Sequence, residues 1–165
     1  AVPADREAVL SDYQAVLAME TDPQRGREVF QKQCATCHRI DNVGVDVAPD
    51  ISDSRGKTPQ QYLTDIIQPN RAIDNNYVNY TLHAEDGQVF NGILATETST
   101  SVTLKQAGGK TITFRRDEIE ELRSSGASLM PDGLEKQIPH QDMADLIAFI
   151  KNWRYLDGRT PLRKN

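Results

Sequence analysis

Long apolar runs, aromatic residues and cysteines are all scarce in this 165-residue chain. No run reaches the roughly 18 apolar residues that a transmembrane helix requires, so the sequence predicts no membrane-spanning segment. Only one Trp, four Phe and five Tyr contribute to a hydrophobic content of 38%. This is a modest supply for a core made of protein alone, and a large apolar bound group would help to fill it.

Basic residues are the minority among the charges. The chain has 19 Lys and Arg against 24 Asp and Glu, which gives a net charge of -5 and an isoelectric point near 5.2. This balance argues against nucleic acid as a partner, because a nucleic-acid-binding surface needs clustered positive charge. It argues equally against adhesion to an anionic membrane, and a protein partner is expected to present a basic or neutral face.

The chain also lacks an initiator Met and the hydrophobic segment of a signal peptide, since it begins Ala1-Val2-Pro3. We therefore expect a mature fragment or a domain of a longer polypeptide. Its length suffices for one ordinary globular domain, or for a small domain that carries an insertion.

Four stretches have the capping residues or the 3.6-residue apolar period of amphipathic helices. They begin near residue 4 and at Asp22-Pro23, Thr58-Pro59 and Pro139-His140. The first covers residues 4–19 and makes residues 1–21 a helical extension, either a packing helix or part of a connection to an upstream domain. Residues 41–57 are rich in Asp, Gly, Ser and Asn, which predicts an irregular loop.

Between the third and fourth helices the apolar period changes from 3.6 to 2. Asp86-Gly87 and Gly108-Gly109 each separate two alternating runs, a pattern typical of β-hairpins. We predict an antiparallel β unit of four or five strands over residues 77–122, inserted between helical segments 22–76 and 123–158. The predicted fold class is mainly α with a small antiparallel β insertion, α+β overall.

The two cysteines lie in Cys34-Ala35-Thr36-Cys37-His38, which has the spacing of a c-type haem attachment motif. On a helical turn, residues i and i+3 face the same way, so both thiols can form thioethers with the vinyl groups of one haem. The adjacent His38 then lies where its imidazole can ligate the iron.

A redox dithiol and half of a zinc site are the alternatives for this Cys-x-x-Cys pair. A thioredoxin-like dithiol normally follows a strand, whereas a helix is predicted before this motif. A zinc site would need a second Cys or His pair, and the remaining histidines, His83 and His140, are far apart in the chain. Covalent haem is therefore the favoured interpretation.

Several segments around the motif resemble a class I cytochrome c. They are Gly26, Phe30, Cys34–His38, Pro49, Ser128-Leu129-Met130-Pro131 and Ala144–Phe149. With the β unit included, residues 22–156 resemble more specifically the planctomycete-type haem-binding domain. The resemblance implies a cytochrome c fold for residues 22–76 and 123–158, one covalent haem c, and a close crossing of the first and last helices at Gly26, with Phe149 near Phe30.

The resemblance also implies that Met130 is the sixth ligand of the iron, opposite His38. A thioether is soft and neutral, and Met/His ligation raises the reduction potential. Pro49 resembles the family proline whose carbonyl accepts the ring N–H of the proximal histidine, a bond that orients the imidazole. Further residues are predicted to pack against the haem, and they are Ile51, Leu63, Ile67 and Leu129.

Four other side chains carry sulfur or imidazole groups that could compete for the iron. Met19 lies upstream of the motif, and Met143 lies in the apolar stripe of the last helix, where a packing Met belongs. His83 falls in a predicted strand and His140 at a helix start, where a solvated or capping role is the alternative.

These residues predict electron transfer and assign no catalytic residue, because a haem with both axial positions filled leaves no position for a substrate. The expected partner is a redox protein or a fused dehydrogenase domain. Covalent haem is assembled outside the cytoplasmic membrane, so the expected location is periplasmic or otherwise extracytoplasmic. The alternatives are a gas-binding sensor with a labile sixth ligand and, ranked last, peroxidase-like catalysis.

Overall fold

The computed structural model describes residues 3–156, so the outermost residues of the predicted segments 1–21 and 123–158 lie outside it. The helices are α1 (Ala4–Tyr13), α2 (Pro23–Gln33), α3 (Pro59–Ile67) and α4 (His140–Asn152). The strands are β1 (Arg39–Ile40), β2 (Val43–Gly44), β3 (Val78–Ala84), β4 (Val89–Glu97), β5 (Ser101–Lys105), β6 (Thr111–Arg115) and β7 (Ile119–Ser128). No helix within this part of the chain is long and apolar enough to cross a membrane.

The capping residues place the starts of α2 and α3 as predicted. The Asp22 carboxylate accepts hydrogen bonds from the first backbone N–H groups of α2. Thr58 and Gln61 form a reciprocal capping box at α3, with distances of 3.2 and 2.7 Å. The first helix is shorter than predicted, because α1 ends at Tyr13 and a 3₁₀ turn follows, which leaves Leu17 38% exposed instead of packed.

Helices α2 and α4 cross at Gly26, as the resemblance implied. A Cβ atom at Gly26 would lie 1.9 Å from the Asp145 carbonyl oxygen and 2.8 Å from the Phe149 Cβ. The Phe30 and Phe149 rings pack with their centroids 5.6 Å apart. The buried Asp145 carboxylate accepts hydrogen bonds from the Asp22 N–H and the Arg25 Nε, and so ties the start of α2 to α4.

The substitution Gly26→Ala should therefore destabilise the protein by about 2 kcal/mol. The clash with backbone forces the helices apart, at a cost that exceeds the roughly 1 kcal/mol gained from helix propensity. Urea unfolding of the haem-loaded protein measures this. Gly56→Ala is the matched control, because nothing lies within 4 Å of a Cβ at Gly56; equal midpoints for the two variants would contradict the crossing as a stability determinant.

The β unit is a five-stranded antiparallel sheet with strand order β6-β5-β4-β3-β7. Both predicted hairpins are present, β3–β4 through Gly87 and β5–β6 through Gly108, and both glycines have positive φ. The last strand differs from the prediction, because β7 runs to Ser128 and pairs with β3 instead of ending at residue 122. The sheet has a small core of its own, formed by Leu82, Ala84, Val102, Leu104 and Phe114.

The sheet packs against the loop that carries the cysteine motif. The Gly108 N–H donates to the Thr36 carbonyl oxygen at 2.6 Å, and the Lys105 Nζ donates to the Asp46 carbonyl oxygen at 2.9 Å. The segment predicted to be irregular, residues 41–57, also includes strand β2, which pairs with β1.

Helix α1 is held to the rest of the protein by a buried ion pair. The Arg6 guanidinium donates to both carboxylate oxygens of Glu135 at 3.0 Å, and the residues are 6% and 7% exposed. The Tyr13 hydroxyl donates to the carbonyl oxygens of Glu135 and Ile138. Burial alone would raise the pKa of Glu135, but the hydrogen bonds from Arg6 hold it below its usual value. The first helix is therefore packed against the rest of the protein.

Candidate functional site

The cysteine motif forms a tight turn directly after α2. The N–H groups of Cys37 and His38 donate to the Cys34 carbonyl oxygen at 3.1 and 2.8 Å. The two thiols are not joined in a disulfide, and both residues are half-buried. Burial, and to a lesser extent the neighbouring Cys37, raises the pKa of Cys34 to about 12. This argues against a redox dithiol, because the reactive cysteine of such a pair has a lowered pKa.

The His38 imidazole is held by the Pro49 carbonyl oxygen, which lies 2.8 Å from Nδ1. A carbonyl can only accept, so Nδ1 carries the proton and Nε2 keeps its lone pair. Burial lowers the pKa of His38, although the bond to Pro49 opposes this shift. The ring is therefore neutral near pH 7, which is the form that binds a metal.

The loop after the motif brings Pro49 to this ring. The Val47 and Ala48 N–H groups both donate to the Cys37 carbonyl oxygen, at 3.1 and 2.8 Å. Gly44 permits this close return of the chain, because its φ is +95° and a Cβ there would lie 2.0 Å from the His38 carbonyl oxygen.

A largely apolar cleft of about 350 Å³ opens beside His38. Six of the predicted site residues line it: Cys34, His38, Pro49, Ile51, Leu129 and Met130. Cys37 lies on the same turn as Cys34. His38 and Met130, which are far apart in the chain, are therefore brought to the same cleft.

The predicted packing residues of α3 do not line this cleft. Leu63 and Ile67 are 0% exposed and belong to the core between the helices. The adjacent helical stripe, Tyr62 and Ile66, lines the cleft in their place. The apolar period of α3 correctly indicated burial, but it does not distinguish the stripe that faces other helices from the one that faces the cleft.

The sheet also contributes to the cleft, which the sequence reasoning did not predict. Ile93 of β4 lines it and is buried, and the half-buried Tyr77 just before β3 lines it as well. The available indication was the consecutive pair Ile93-Leu94 in an otherwise alternating strand. Two adjacent apolar residues in a strand point to opposite faces, and here Leu94 packs against the core of the sheet.

None of the competing ligands lines the cleft. The His140 ring stacks on Tyr13 with centroids 4.1 Å apart, and its Nε2 lies 3.1 Å from an Asp12 carboxylate oxygen. His83 lies in β3, opposite Val89. Met143 is buried among the helices, and Met19 packs at the edge of the same core.

The donor set does not suit zinc. Within residues 3–156 no three His, Cys, Asp or Glu side chains are grouped in a way that could hold a metal ion. A structural zinc site needs four such ligands.

The cleft suits a large apolar group with a polar edge. Gln68 lines it and is 4% exposed, and its Nε2 finds no hydrogen-bond acceptor within the described residues. A buried amide donor normally has a partner, and a haem carries carboxylates that can accept. With the paired thiols and the neutral imidazole, the residues present fit a haem.

Two thiols on one turn, followed by a neutral imidazole at the wall of an apolar cleft, define a c-type haem-binding protein. The comparison with protein families agrees, because the model described as Cytochrome c matches residues 23–154, and the chain belongs to this family. No curated protein matches the chain. The family carries covalent haem c with its iron, for which Cys34 and Cys37 are the attachment pair in this chain, and it functions in electron transfer with a redox partner.

Proposed function

We propose that this protein transfers single electrons through a haem c ligated by His38 and Met130. The supporting observation is the placement of these two side chains, with Cys34, in the walls of one apolar cleft. When bound, the haem supplies a one-electron couple between Fe(II) and Fe(III). His38 and Met130 would both ligate its iron and leave no free position for a gas or a substrate, so the site favours electron transfer over gas binding or catalysis.

The chain's own residues hold the two ligands and limit the access of water. Pro49 fixes the tautomer and orientation of His38 through the bond to Nδ1. The Met130 N–H donates to the Ser128 Oγ at 3.1 Å, and Pro131 restrains the backbone that follows. Ile93 and Tyr77 extend the wall from the sheet side.

The β unit between the helical segments supports a planctomycete-type haem-binding domain with a sheet insertion. The insertion was predicted over residues 77–122, and the pairing of β7 with β3 extends the sheet to Ser128. Covalent haem assembly supports a periplasmic or similar extracytoplasmic location. The electron donor or acceptor is a separate redox protein or a fused dehydrogenase domain.

The first test is the absorption spectrum of the reduced haem-loaded protein before and after carbon monoxide. We expect sharp low-spin bands that carbon monoxide does not change, and haem that stays with the chain on a denaturing gel. A prompt shift to a carbonyl spectrum would refute the firm Met130 ligation and favour the gas-sensor alternative.

A further inference from the structure

Asn70 makes two side-chain hydrogen bonds to the segment that carries Met130. Its Oδ1 accepts from the Ser128 N–H at 2.7 Å, and its Nδ2 donates to the Asp132 Oδ2 at 3.1 Å. These partners lie two residues before and two residues after Met130. One amide side chain therefore bridges both ends of the loop.

The bridge connects this loop to the wall of the cleft that α3 forms. Asn70 follows α3 by three residues, after Gln68 and Pro69, and α3 supplies Tyr62 and Ile66 to the cleft. Ser128, whose N–H bonds to Asn70, in turn accepts a hydrogen bond from the Met130 N–H through its Oγ. The chain of contacts thus runs from α3 through Asn70 and Ser128 to the backbone of Met130.

We infer that Asn70 is a positioning residue that keeps Met130 in the cleft and on the iron. The inference rests on the proposed His38/Met130 ligation and extends it by naming the group that holds the sixth ligand. Both Asn70 hydrogen bonds go to the loop and neither goes to the Met130 sulfur, so Asn70 acts by favouring the closed position of the loop. Loss of both hydrogen bonds raises the fraction of molecules in which the sulfur has left the iron.

The test is the rate at which carbon monoxide binds the reduced, haem-loaded protein, since the gas binds only when Met130 has dissociated. Asn70→Ala should bind carbon monoxide about tenfold faster than the unmodified protein, because two hydrogen bonds of ordinary net strength are lost. Asp132→Ala removes one of these bonds and should give a rise of roughly threefold. Asn70→Asp keeps an acceptor for Ser128 but replaces the donor to Asp132 with a second carboxylate, so it should bind the gas at least as fast as Asp132→Ala.

Asn91→Ala is the matched control. The Asn91 Oδ1 accepts from the Thr81 Oγ1 within the sheet, and Asn91 does not line the cleft. It should bind carbon monoxide as slowly as the unmodified protein. If Asn70→Ala lowers the urea midpoint but leaves the gas-binding rate unchanged, its role is only structural and the inference is wrong.

The outcomes separate this inference from the proposed function. Prompt gas binding by the unmodified protein would overturn the Met130 ligation itself. An unmodified protein that excludes the gas, together with Asn70 and Asp132 variants that exclude it equally, would overturn only the role of Asn70. If Asn70→Ala fails to incorporate haem, the carbon monoxide binding rates of Asp132→Ala and Asn70→Asp decide whether Asn70 positions Met130.

Discussion

Replacing Met130 with leucine should turn the reduced protein into one that binds carbon monoxide at once. Leucine keeps most of the volume in the cleft but offers no sulfur, so the iron loses its sixth ligand while the packing is preserved. The reduction potential should fall by on the order of 0.1 V, a fraction of the roughly 0.8 V range that axial ligands set in haem proteins. Absorption spectra with and without the gas, followed by a redox titration, measure both effects.

Met143→Leu is the control for this substitution. Met143 is fully buried between the helices and does not line the cleft, so its replacement should leave spectrum, gas binding and potential unchanged. A Met130→Leu protein that keeps its low-spin spectrum and ignores the gas would show that another group ligates the iron. His83 and His140 would then be the next residues to replace.

Replacing Arg6 with methionine should destabilise the haem-loaded protein by about 3–5 kcal/mol. The change leaves the Glu135 carboxylate buried without its partner, and an uncompensated buried charge costs several kcal/mol. Urea unfolding at neutral pH measures the loss. The double variant Arg6→Met with Glu135→Leu should recover most of it, because a buried ion pair replaced by apolar side chains is close to neutral in energy.

The Arg6–Glu135 ion pair also predicts that the stability of the folded protein depends on pH. The pKa of Glu135 in the folded protein lies below its usual value, so its contribution to stability is present above the ordinary carboxyl pKa and is lost as pH falls through the folded pKa. The difference in stability between the unmodified protein and Arg6→Met should therefore shrink in acid. Arg55→Met, which breaks an exposed pair with Asp53, should have little effect at any pH; a loss as large as that of Arg6→Met would contradict the argument from burial.

The features that the sequence predicted well are local ones. Asp22 and Thr58 cap their helices with side chains that bond to backbone one turn away, and Gly87 and Gly108 adopt the positive φ that their turns require. The spacing of Cys34 and Cys37 likewise needs only one helical turn. In each case the determining contacts lie within a few residues of one another in the chain.

The features that were missed depend on partners that are distant in sequence. Arg6 pairs with Glu135, and Asn70 bonds to Ser128 and Asp132. These residues are far apart in the chain, and the apolar periodicity of the sequence does not indicate which of them meet. The extent of β7 was underestimated for the same reason, since its later residues are polar and their place in the sheet comes from pairing with β3. Which stripe of α3 faces the cleft also depends on how the other helices pack.

The contact between Gly108 and Thr36 links the sheet directly to the haem attachment motif. Thr36 lies between the two cysteines, and its carbonyl oxygen accepts from the turn of the β5–β6 hairpin. In the folded chain Cys34 is half-buried, and burial raises the pKa of its thiol to about 12. We therefore expect haem attachment to be faster before the β5–β6 hairpin docks on this turn, when both sulfurs are more accessible to the assembly machinery.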